Sequence, residues 1–187
     1  MSKIFVVSAP SGAGKTTVVR NVLEKFPEIT FSISATTRSR RDFEKDGVDY
    51  FFMSEAEFKD KISGDEFVEW ETFYGYYYGT LKSFINSELE KKKSVLLEVD
   101  VKGAVKIKEV YPEAVMIFIL PPSIEELQKR LIKRNTETEE DLKKRFERSK
   151  MEIEFQNHFQ YKIVNDDLEI AREKIFNIFK SELSKEN

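Results

Sequence analysis

The chain has 187 residues, no Cys and a formal charge of -3, with 31 Lys and Arg set against 34 Asp and Glu. With 40% apolar residues and 16 Phe it can bury a sizeable core, which excludes a disordered chain and a disulfide-stapled mini-fold and predicts one compact domain carrying small inserted lobes. Apolar runs such as Val115 to Leu120 fall far short of the ~20 residues of a membrane span, Ile4 to Val7 is shorter than the roughly 7 to 15 apolar residues of an export signal, and the near-neutral charge gives no footprint for a nucleic-acid polymer, so a cytoplasmic protein with neither partner is expected.

In chain order, Ile4 to Val7 reads as a buried strand, and Ala9-Pro10-Ser11-Gly12-Ala13-Gly14-Lys15-Thr16-Thr17 follows it and opens a helix over 15–25. That is the context of a Walker A loop, although Ala9 stands where its first glycine is usual. Glycines at 12 and 14 let backbone N–H groups of Ser11 to Thr17 curl around phosphate oxygens. The helix N-terminus adds positive charge, Lys15 reaches the β and γ phosphates, and Thr16 suits Mg²⁺. ATP and Mg²⁺ are the implied donor and cofactor.

The region from about 33 to 80 breaks the α/β rhythm. Asp46-Gly47, the aromatic run Tyr50-Phe51-Phe52 and the stretch Tyr76-Tyr77-Tyr78-Gly79-Thr80 predict a small strand-rich lobe, with a helix over 54–63 opened by a Ser54/Glu57 capping box. A helix over 82–92 leads to the strand Val95 to Val99, which ends on Asp100, the Walker B position; Glu98 points to the same side of that strand. Asp100 can serve Mg²⁺ through water or accept hydrogen bonds from a substrate. A helix over 101–110, the strand Val115 to Leu120, charged helices over 123–134 and 138–157, and a last helix over 168–184 complete the chain.

The segment Thr36-Thr37-Arg38-Ser39-Arg40-Arg41, followed by Glu44, Gly47, Tyr50 and Phe52, resembles the signature of the guanylate kinase family. The likeness continues through Tyr78-Gly79-Thr80, Asp100, Gly103, the arginines near 130 to 148 and Val164-Asn165-Asp166-Asp167, and so spans nearly the whole chain. It implies an α/β three-layer P-loop kinase core with a parallel sheet (about 1–32, 81–122 and 157–187), an inserted GMP-binding lobe (about 33–80) and a helical lid (about 123–156). The implied reaction moves the γ-phosphoryl group of ATP to GMP or dGMP.

By the same resemblance, Arg38, Arg41, Tyr50 and Tyr78 match residues that hold the acceptor phosphate. Guanidinium forks and phenol donors suit a phosphate dianion. Glu69 and Asp100 match residues that face the N1–H and N2–H donors of guanine, with the Ser34 and Thr80 hydroxyls near O6 and Gly79 among the substrate-binding positions, and Glu98 stands where many relatives carry Asp. Arg134 and Arg145 match lid arginines that reach the transferring phosphoryl, and Asn165 matches a position near the adenine of ATP. Arg40, Tyr76, Tyr77 and His158 read as structural. A non-catalytic module of the same family, binding acidic or phosphorylated peptides, is the rival reading, but such modules lose their phosphate loop and this chain keeps Gly12, Gly14, Lys15 and Thr16. A GTPase would need an Asn-Lys-x-Asp segment, which the sequence lacks.

Overall fold

The computed structural model describes residues 2–73, 75–133 and 139–185. A five-stranded parallel sheet forms its centre, in the order β2 (Thr30–Phe31), β7 (Val95–Glu98), β1 (Ile4–Ser8), β8 (Val115–Leu120), β9 (Tyr161–Val164). The inner strands are near-continuous apolar runs because helices cover both faces. Successive β1 side chains alternate between those faces. Phe5 and Val7 meet Val18, Val19 and Val22 of α1 (Lys15–Lys25) and Ala171, Ile175 and Phe179 of α7 (Leu168–Ser184); the rings of Phe5 and Phe179 stack at 4.0 Å. Ile4 and Val6 join the opposite cluster with Ile85 of α3 (Lys82–Glu90) and Val101, Ala104 and Ile107 of α4 (Val101–Val110).

A second, four-stranded sheet has the order β4 (Phe51–Phe52), β3 (Ala35–Thr36), β6 (Tyr76–Leu81), β5 (Phe67–Phe73), antiparallel except where β3 pairs β4. The helix α2 (Glu55–Ser63) starts with the expected capping box, Ser54 accepting from the Glu57 N–H while Glu57 accepts from that of Ser54. Its Phe58 is fully buried and stacks on Phe67 at 4.3 Å. Val68 of β5 belongs to the same apolar cluster as α4, so the small sheet is seated on the helix that follows Asp100.

The helices α5 (Ile124–Lys133) and α6 (Glu139–Glu154) follow β8, and α6 ends in a 3-10 turn over Phe155–His158, short of the helix over 138–157 that the sequence predicts. Two strands go beyond the sequence expectation. β2 has only two residues, and β9 carries the exposed Lys162 and Val164 beside buried Ile163, so neither stands out as an apolar run. Among the described residues, no helix is long and apolar enough to cross a membrane.

Candidate active site

Parallel sheets place ligands in the crevice beyond the carboxyl ends of their strands, and here β1 and β7 run side by side with Val7 opposite Glu98. The segment after β1 turns at Gly12 and Gly14, with φ of +92° and +91°, a left-handed conformation costly for any residue with a Cβ. A Cβ on Gly14 would also sit 2.5 Å from the Asn165 amide nitrogen. That amide donates to the Ala13 carbonyl at 2.7 Å and is buried, so Asn165, which follows β9, buttresses the loop from behind.

Lys15 opens α1 with its Nζ 2.9 Å from the Val99 carbonyl, which also accepts from Ser8, and 4.0 Å from Glu98 Oε1. Burial pulls the Lys15 pKa below the ordinary lysine value, opposed by the charges of Glu98, Asp100, Glu152 and Glu71. Thr16 donates to Glu98 Oε1 at 2.7 Å. Asp100 caps α4, its Oδ1 accepting from the Gly103 N–H at 2.7 Å.

Across a cleft of about 770 Å³ stands the inner face of the β5–β6 pair. Its register sets Glu69 against Thr80 and Glu71 against Tyr78. Thr80 Oγ1 donates to Glu69 Oε1 at 2.6 Å, and burial raises the Glu69 pKa against that hydrogen bond. Glu71 is pushed up to about 7, by burial first and then by Asp100. Gly103 and Gly79 make this packing feasible: a Cβ on Gly103 would meet Glu69 Oε2 at 3.0 Å and Asp100 Oδ1 at 3.1 Å, and one on Gly79 would meet the β5 backbone at 2.9 Å.

Ser34, Tyr50, Tyr78 and Gly79 complete this wall. Arg38 lies behind it. Its fork is bidentate on Glu44, at 2.7 and 3.1 Å, and its guanidinium sits 5.4 Å from the Tyr50 ring centre. Glu44 also takes the Arg41 N–H at 2.8 Å, and these donors hold its carboxyl below the usual range, while the Arg41 side chain is exposed.

The structure thus brings the phosphate loop, Glu98, Asp100, Ser34, Tyr50, Glu69, Tyr78 and Gly79 around one cleft, with Thr80 behind Glu69; Arg38, Arg41 and Asn165 do not line it. Arg145 does, donating to Ser11 Oγ at 2.9 Å. Arg134 lies outside the described residues.

Sequence reasoning left Arg148 to surface salt bridges and gave Glu71, Ser149 and Glu152 no task. Ser149 donates to the Ser11 carbonyl at 3.3 Å, and Glu152 accepts from the Ser11 N–H at 3.1 Å. A signal existed: Arg145, Arg148, Ser149 and Glu152 follow the i, i+3, i+4, i+7 spacing of one helix face, and Glu69 and Glu71 share one strand face.

The donor set fits a hydrated divalent ion. A hydroxyl on Thr16, with Glu98 and Asp100 near a phosphate-binding loop, matches Mg²⁺, which keeps several waters and takes few protein oxygens.

Residues 1–182 match the guanylate kinase family model. The chain is 43% identical over 183 residues to the guanylate kinase of Thermotoga maritima, covering 98% of this chain and 88% of that protein. It is 49% identical over 172 residues to that of Caldanaerobacter subterraneus subsp. tengcongensis, covering 92% and 84%. The crystal structure of guanylate kinase from Anaplasma phagocytophilum superposes with a TM-score of 0.76 at 34% identity, covering 98% of this chain and 87% of that one. A match of this extent, on a P-loop core that carries the expected cleft, shows that the chain belongs to the guanylate kinase family.

Proposed function

We infer that this chain transfers the γ-phosphoryl group of ATP to GMP, giving ADP and GDP. The observation that carries the reading is one cleft with a phosphate loop on one wall and, on the other, a buried carboxylate held by Thr80. Family membership over residues 1–182 supports it. We assign the core, the acceptor lobe over about 33–80 and the lid over about 123–156 to donor binding, acceptor binding and closure.

The chemistry asks little covalent work of the protein. The acceptor phosphate has a second pKa near 6 and is already a nucleophilic oxyanion at neutral pH, so no general base is required. The task is to align two polyanions and offset their repulsion. Backbone N–H groups of Gly12 and of Gly14 to Thr17 cradle the donor phosphates, while those of Ser11 and Ala13 are taken by Glu152 and the Pro10 carbonyl. Lys15, close to β7 and partly desolvated, stabilises charge that shifts between the β and γ groups. Mg²⁺, when bound near Thr16 and Asp100, neutralises charge on the donor phosphates. Arg134 and Arg145 supply further positive charge as the lid closes, and Asn165 holds the loop's shape beside the adenine.

On the acceptor side, Tyr50 and Tyr78 line the cleft and hold the phosphate, and Arg38, whose pose Glu44 sets, and Arg41 reach it as the acceptor lobe closes. Glu69 and Asp100 accept from N1–H and N2–H of guanine, Ser34 serves O6, Thr80 spends its hydroxyl on holding Glu69, and Glu98 keeps Thr16 oriented. Adenine would present an acceptor at N1 and a C–H at C2, leaving buried anions unpaired. Sites built on such a donor reject the analogue lacking it by about 10⁴ to 10⁵ in kcat/KM. A coupled assay of ATP with GMP, dGMP, AMP, UMP and TMP tests this. The expected result is turnover of GMP or dGMP with AMP rejected on that scale, and comparable efficiency with AMP overturns the guanine pocket.

A further inference from the structure

We propose that Arg148 of α6 is a positioning residue for the reaction, which sets the base-reading carboxylate of Asp100 and, through Glu152, the entrance of the phosphate loop. The proposal rests on the assignment of Asp100 to the guanine amino group made above, and no part of the chain's family resemblance assigns Arg148 a task.

The geometry is a fork with several tines. The Arg148 Nε donates to Glu152 Oε1 at 2.9 Å, while NH2 lies 3.5 Å from Asp100 Oδ2 and 3.7 Å from Glu71 Oε2. The guanidinium also stands 5.6 Å from the Phe73 ring centre. Its partners come from separate parts of the fold: Glu152 from the same helix, Asp100 from the end of β7, Glu71 and Phe73 from β5. A planar guanidinium can serve carboxylates in different directions at once, which a point-like ammonium cannot.

Each partner is held by a second contact. Asp100 Oδ1 is fixed by the Gly103 N–H at 2.7 Å, so the attraction of Oδ2 toward Arg148 sets the plane of the whole carboxylate. Glu152, with Oε1 on Arg148, turns Oε2 to the Ser11 N–H at 3.1 Å. Arg145 and Ser149 take the remaining Ser11 oxygens, so α6 grips the rim of the phosphate loop through every polar atom of that residue. One cation therefore links the acceptor wall to the donor loop.

Charge gives the second argument. Glu69, Glu71, Glu98, Asp100 and Glu152 all line a cleft whose substrates are polyanions. Without Arg148, Asp100 Oδ2 would lose the cation that draws it toward α6 and would face the incoming nucleotide without that opposing charge, free to turn away from the pose needed for an N–H donor.

The test compares the parent chain with Arg148→Gln and Arg148→Lys, using GMP and inosine monophosphate, which keeps N1–H and lacks the N2 amino group. Thermal unfolding confirms that each variant is folded. In Arg148→Gln the ratio of kcat/KM for GMP to that for inosine monophosphate should fall about tenfold, through loss on GMP, since misplacement of a substrate-contacting group acts on this scale. The KM for ATP should rise several-fold in the same variant. Arg148→Lys, which keeps the charge without the fork, should give an intermediate ratio, and it carries the test if the glutamine variant fails to fold. An unchanged ratio in folded Arg148→Gln, or parent-like behaviour of Arg148→Lys, overturns the proposal while the base reading stands. A parent chain that treats GMP and inosine monophosphate alike removes the assignment of Asp100, and the Arg148 proposal with it.

Discussion

Gly103→Ala separates stability from substrate recognition. Gly103 lies in the first turn of α4 with no positive φ, so alanine fits the backbone and gains up to about 1 kcal/mol of helix propensity. The added Cβ, however, would stand 3.0 Å from Glu69 Oε2 and 3.1 Å from Asp100 Oδ1. Ordinary contact starts near 3.4 Å, so each carboxylate must withdraw by a few tenths of an ångström. Neither can do so freely: Glu69 Oε1 is tied to Thr80 at 2.6 Å and Asp100 Oδ1 to the Gly103 N–H at 2.7 Å. Overpacking costs about 1 to 3 kcal/mol, which roughly offsets the propensity gain and leaves a net loss of no more than about 2 kcal/mol. Base reading should suffer more. A misplacement of about 1 Å can cost about a hundredfold, so a shift of a few tenths should lower kcat/KM for GMP by roughly three- to tenfold. The KM for ATP should change less than this, because the phosphate loop does not touch this methyl and Asp100 bears on the donor only indirectly. A coupled kinetic assay beside a thermal melt checks both halves. A folded variant with kcat/KM for GMP within twofold of the parent would refute the claim that Glu69 and Asp100 are held at the positions recognition needs.

Lys15→Ala should keep the fold, because its ammonium is a partly desolvated group outside the apolar clusters, yet lose about 10² to 10³ in kcat, the scale for a donor aimed at developing charge. Near-normal turnover in a folded variant would end the assignment of Lys15 to the transferring phosphoryl. A pH effect follows from Glu71, raised by burial and by Asp100 to about 7 from an ordinary 4.5. The folded state binds the extra proton between those values, so this group's contribution is present below about 4.5 and is lost as pH rises through about 7. The side chain is 39% exposed, so solvent screening reduces the effect to on the order of 1 kcal/mol, a few degrees in Tm. Melts of nucleotide-free, metal-free protein from pH 5 to 8 should show that decline and Glu71→Gln should flatten it; parallel curves for the two proteins would contradict the assignment.

The sequence by itself determined what is local. The phosphate loop is legible because strand, glycines, Lys15 and helix follow one another without a break, and the helices at 15–25 and 101–110 emerge with their observed bounds because apolar periodicity and backbone propensity act within a few residues. The alternation of bulky groups with Glu69 placed that carboxylate on a pocket wall, since a strand has only two faces. What only the tertiary structure decided is which neighbours those faces meet. Strand order 2-7-1-8-9 rests on packing between segments far apart in the chain, and β2 and β9 pair in the sheet without an apolar run to announce them. Arg148 reads in sequence as one more charge on a solvated helix, and Glu71 as a companion of Glu69 on one strand face with no partner to name. Their electrostatics depend on α6 docking against Ser11 and β5 docking against α4, which set the distances to Asp100. Asn165 shows the same division: its position after an apolar pair suggests a helix start, but Asp167 supplies that cap, and the Asn165 amide is committed to Ala13 because folding brings residues 152 positions apart within hydrogen-bond reach. Coulomb energy, desolvation and hydrogen bonding depend on separation in space, and separation along the chain does not fix it.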